Sequence, residues 1–171
     1  MLRPLRENGP ALLVPAAWIV VVATVLGVVS THALFVAHVV MSALLVAFVA
    51  ASWRDMSAGV LRTWKLVILA GTPVTLAGVA GFLALGETAG VPPDALLAVS
   101  LFGWALLPAI GFASTARRVE AGGRIYAVGA VCCVAGAVGV AVASSATAVA
   151  LALVGAGQTA GILDATLRYS P

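Results

Sequence analysis

Charge is scarce in this 171-residue sequence: only 9% of residues are Asp, Glu, Lys or Arg, against 63% hydrophobic. Soluble domains carry about a quarter charged residues, so no polar shell can be assembled here around a water-exposed core. Nine Lys+Arg against six Asp+Glu leave +3, too thin a charge for a nucleic-acid surface, and no nucleic-acid partner is expected. Cysteine is limited to the adjacent Cys132 and Cys133. On a helix such neighbours point about 100° apart, so they form neither a local disulfide nor a C-x-x-C metal or redox motif. Phosphate-binding glycine loops, G-x-S-x-G and H-E-x-x-H are missing as well. These absences exclude a soluble enzyme, a secreted disulfide scaffold and a disordered tail. An all-α integral membrane protein is what remains.

Apolar length is abundant, with mean hydropathy +1.16. A spanning helix needs about 20 mainly apolar residues, and Ala11 to Trp53 is a single apolar run about twice that long. It has to turn in its middle, where Gly27 followed by Ser30 and Thr31 supplies helix-stop and helix-cap chemistry. The predicted architecture is a six-transmembrane-helix bundle in one polytopic domain, with spans at 11–29, 31–53, 66–85, 95–114, 125–143 and 146–167. Asn8-Gly9 with Pro10 at the first helical position reads as the start of an uncleaved first span rather than a secretion signal.

The cations then share one side. Arg3 and Arg6 precede the first span, and Arg54, Arg62 and Lys65 follow the second. Arg117, Arg118 and Arg124 follow the fourth, and Arg168 closes the sixth. The opposite connections hold Glu87 and Asp94. This asymmetry predicts short loops and cytoplasmic termini, with Trp53, Trp64, Tyr126 and Tyr169 at the headgroup level. One Lys against eight Arg suggests a GC-rich prokaryote, hence a cytoplasmic membrane.

Helices in lipid associate through close packing and interhelical hydrogen bonds. Gly71, Thr75 and Gly78 mark a small-residue stripe on span three. Gly129, Cys132, Gly136 and Gly139 mark one on span five, and Gly157 with Gly161 one on span six. These three spans are the expected packed centre, with span two facing lipid. Pro73 and Pro108 lie inside spans and free the carbonyls of Leu69 and Trp104 from their helical partners.

Few residues could carry chemistry. Asp164 is the only charged side chain inside a span, placed one turn before Arg168 as a helix-end pair. The lack of ionisable groups near the midplane counts against proton-driven pumps and voltage sensors. His38 is the titratable group within the hydrocarbon. It is either a satisfied structural group or a haem b or proton site, although His32 sits on the same helix and cannot supply a facing axial ligand. His32, Glu87 and Asp94 form a weak candidate for a metal site at the outer face. Ser42, Thr75, Trp104 and Gln158 all fall near the midplane, either as interhelical glue or as the lining of a pocket for a small ligand. The leading expectation is a membrane-embedded binding or permeation module for an uncharged or lipophilic small ligand, with the balance of the sequence against an enzyme. The alternatives are a b-type haem or quinone-linked redox protein using His38, and an accessory subunit of a membrane complex. The bilayer is the expected partner, together with a second copy of the chain or a larger complex.

Overall fold

The computed structural model describes the backbone of residues 2–85 and 92–169 and the side chains of 12–85 and 92–168. The described chain folds into α1 (Leu2–Val25), α2 (Thr31–Ser52), α3 (Gly59–Leu83), α4 (Pro93–Ala116), α5 (Gly123–Val142) and α6 (Thr147–Tyr169), with a 3-10 turn over Ser144–Ala146. Five of these, α2 to α6, are long and apolar enough to cross a membrane. In α1 the apolar part with described side chains is Leu12–Val25.

The turn in the long apolar run falls where its chemistry demands. Gly27 takes φ +74°, a left-handed conformation that side chains with a Cβ resist. Ser30 caps α2, its Oγ accepting from the Ala33 N–H at 3.2 Å. At the chain start the expectation needs correcting. α1 begins at Leu2 rather than beyond Asn8-Gly9, since a single glycine costs a helix only about 1 kcal/mol and does not stop it. Asp94 lies in the first turn of α4, behind a Pro92 N-cap; there its charge complements the helix dipole.

Successive helices alternate in direction. α2, α3, α4, α5 and α6 each pack against the next, α1 packs on α6, and α1 touches α2 only sparsely. The described cations therefore gather at one end of the bundle. Among the contacts that knit that end, the Arg118 guanidinium donates to the Gly59 carbonyl at 3.1 Å, and Trp64 Nε1 donates to Thr115 Oγ1 at 3.1 Å.

Close backbone approach holds α5 to α6. A Cβ on Gly136 would stand 2.5 Å from the Ala150 carbonyl oxygen and collide with Val154. Gly161 leaves room for the ring of Phe112, which is fully buried. The expectation that spans three, five and six form the centre omitted α4. That helix buries Ser100, Ala105, Pro108, Ala109, Gly111, Phe112 and Thr115, because it lies between α3 and α5 and reaches α6 as well. α2 is peripheral as expected, with only Leu45 and Ser52 buried among its residues. Of the aromatics expected at the headgroup level, two pack against neighbouring helices. Tyr126 is 2% exposed and packs on Phe112, and Trp64 turns inward, leaving Trp53 exposed beneath the Lys65 ammonium.

Candidate functional site

Pro108 has no N–H to give, so the carbonyl of Trp104, four residues earlier, loses its helical partner. Gln158 on α6 fills the vacancy: its Nε2 donates to the Trp104 carbonyl at 2.9 Å. The other end of the same amide is also used, since Trp18 Nε1 on α1 donates to Gln158 Oε1 at 3.0 Å. The Trp104 indole carries the connection onward, donating to Thr75 Oγ1 on α3 at 2.8 Å. Thr75 in turn donates to the Gly71 carbonyl at 2.9 Å. The result is a continuous relay from α1 through α6 and α4 to α3.

Every member sits where small residues permit it. Gly71 lies under the Trp104 ring and Gly155 under Trp18; a Cβ there would come within 2.7 Å of the Trp104 indole and 2.8 Å of the Trp18 Cβ. Thr75 and Gln158 are 1% and 2% exposed, so the relay is sealed from the surface at its centre. The Cys133 thiol on α5 lies against the Gln158 side chain. Each strong donor in the relay meets an acceptor, the condition for burying polar groups in an apolar medium.

Thr75, Trp104 and Gln158, three residues expected near one another, are thus brought together. Ser42 is not. Its hydroxyl donates to the His38 carbonyl at 2.9 Å on its own helix, so it serves α2 alone. Trp18 was missed by sequence reasoning, although an indole N–H on an apolar span needs a partner when buried.

His38 forms a second, smaller cluster. Its Nδ1 bonds the Leu34 carbonyl at 2.9 Å, which assigns the proton to Nδ1, since a carbonyl only accepts. The Nε2 lone pair then faces Ser100 Oγ at 3.5 Å, across the gap left by Gly78. Phe82 closes the ring edge at 5.1 Å between centroids. Both imidazole nitrogens face protein groups rather than an open space.

Two concavities open elsewhere. One, about 260 Å³, lies between α2 and α3 at the cation-poor end, lined by Thr31, His32, Phe35, Phe82, Leu83 and Leu85. Of the weak metal candidates, Glu87 lies outside the described residues, and no three His, Cys, Asp or Glu converge among the described ones. The other, about 910 Å³, lies along α4 and α5 at the cation-rich end. Arg117, Glu120, Arg124 and Arg168 line its mouth, and Ala113, Ala127, Ala130 and Val131 line its floor. Asp164 holds Arg168 there as expected, with Nε to Oδ1 at 2.6 Å. Compared with known protein families, curated proteins and solved structures, the chain finds no match.

Proposed function

We propose that the protein is a membrane-embedded binding module for a lipophilic ligand, which it takes sideways from the bilayer into the groove along α4 and α5. The observation that carries this is the contrast between two regions. The polar groups at mid-helix are consumed by one another, whereas the groove along α4 and α5 is open to the surface, with charged groups and apolar Ala and Val side chains lining it together. In this account Thr75, Trp104 and Gln158 hold helices together rather than line a ligand pocket. Ser42 is satisfied within α2, and His38 faces Ser100 on α4. A sealed, satisfied relay provides neither a polar path across the membrane nor a free group for proton transfer.

The cation asymmetry supports a cytoplasmic location for the Arg-rich end and for both termini, in a prokaryotic cytoplasmic membrane, with α1 completing six spans. The groove then opens at the inner headgroup level. Detergent-purified protein, exhaustively washed and extracted with organic solvent, tests the proposal. Mass spectrometry should find one lipophilic compound retained near one per chain. Extracts containing only bulk membrane lipid in membrane proportions would refute it. An absorption spectrum of the same sample decides the redox alternative, because haem b bound at His38 would give a Soret band.

A further inference from the structure

The mouth of the α4–α5 groove has a charge arrangement that its apolar floor does not require. Arg168 is committed to the buried Asp164. Arg117 and Arg124 are both exposed and line the same groove from opposite sides of the short α4–α5 connection. Neither has a hydrogen bond or ion pair among the described residues. Both also stand at the ends of helices, Arg117 capping α4 and Arg124 in the first turn of α5. Below them the groove floor is Ala and Val, and Val131 is 66% exposed along it.

Two guanidiniums without a partner among the described residues, at the rim of an apolar furrow at the end of a membrane bundle, match one chemistry. An anionic phosphodiester fits the forked donors of arginine, and an acyl chain fits the furrow. Basic recesses between helices at the cytoplasmic surface recognise lipid headgroups in this way. The small side chains Ala113, Ala127 and Ala130 leave space for a chain to lie along the furrow. We infer that the ligand of this groove is an anionic phospholipid, its phosphate held by Arg117 and Arg124 and one acyl chain lying along α4 and α5. Glu120 at the same rim opposes a second negative charge, so a headgroup carrying a single phosphodiester is the best match. This identity rests on the lipophilic-ligand proposal above and adds the headgroup chemistry to it.

Native mass spectrometry of the full chain in detergent, titrated with palmitoyl-oleoyl phosphatidylglycerol, tests it. The double variant R117Q/R124Q should weaken the first binding event about 30-fold, taking roughly 1 kcal/mol per basic residue at the membrane surface and 1.4 kcal/mol per tenfold. The control R54Q/R62Q removes the same charge from the same end of the bundle outside the groove and should leave that event within about threefold. Phosphatidylcholine should bind at least tenfold more weakly than phosphatidylglycerol, and inorganic phosphate at millimolar concentration should not displace the lipid. An equal loss in the control variant would overturn the assignment, because general attraction to positive charge would then suffice. Phosphatidylcholine binding as tightly, or displacement by free phosphate, would overturn it too. Circular dichroism of both variants should match the wild type. If R117Q/R124Q does not fold, R117A/R124A takes its place, and loss of the phosphatidylglycerol preference is the expected result, because both charges are removed; an unchanged preference would overturn the assignment. Retention of an uncharged compound would overturn the headgroup assignment and leave the lipophilic-ligand proposal intact. Retention of none overturns both.

Discussion

Replacing Gln158 by leucine probes the relay at its most connected point. The side chain keeps a similar volume, but the substitution removes the acceptor for Trp18 Nε1 and the donor for the Trp104 carbonyl. Each interhelical hydrogen bond in a membrane protein contributes on average about 0.6 kcal/mol, with about 1.7 as a ceiling. The Trp104 carbonyl has a further liability, because Pro108 cannot serve it. A buried polar group left without a partner costs about 1–3 kcal/mol. Gln158→Leu should therefore destabilise the protein by about 2–3 kcal/mol in detergent unfolding. A second substitution isolates the cause. Pro108→Ala restores an N–H four residues after Trp104, where that carbonyl needs one. In the Gln158→Leu background it should return about 1 kcal/mol more than it does in the wild type. An identical response in the two backgrounds would refute the claim that Gln158 substitutes for the missing helical bond. So would a Gln158→Leu protein as stable as the wild type.

Gly136→Ala should cost about 1–3 kcal/mol, because the added Cβ meets the Ala150 carbonyl and Val154, neither of which can swing aside; Val40→Leu on the exposed face of α2 should change stability by less than about 0.5 kcal/mol by the same unfolding assay. Thr75→Val strands the Trp104 indole N–H while sparing the Gln158 bonds, so about 1 kcal/mol should be lost, with a red-to-blue change in tryptophan emission as the independent readout. His38→Gln retains a donor for the Leu34 carbonyl and should leave stability within about 1 kcal/mol; loss of folding would show that the ring itself is indispensable. Reporter fusions after Arg6, Gly90 and Ser170 should read inside, outside and inside, and any other order removes the six-span orientation.

Much of the fold was legible because its determinants are local. The long apolar runs, the Gly27–Ser30 reversal and the one-sided cations need only lengths and spacings. Pro108 announced a carbonyl without a partner, and Gln158 announced an amide in need of partners; joining them required knowing how α4 and α6 are rotated. Helix rotation is set by which small residues meet, and a chain with glycines on several spans gives more than one plausible stripe. The same ignorance hid Trp18 and the inward packing of Tyr126 and Trp64. α4 was undervalued because its buried face mixes Ser, Pro, Phe and Thr and carries no glycine repeat. The groove along α5 was invisible in sequence, since its floor of Ala and Val reads as ordinary lipid-facing surface.

Photolabelling shows where a ligand sits. A phosphatidylglycerol carrying a diazirine in its acyl chain, added to the reconstituted protein and photolysed, labels the residues it lies against. Labelled peptides should centre on the groove floor, from Ala113 to Val131, with labelling competed by unmodified phosphatidylglycerol. Labelling centred on Trp104 and Gln158, or spread evenly over α2, would contradict the groove assignment.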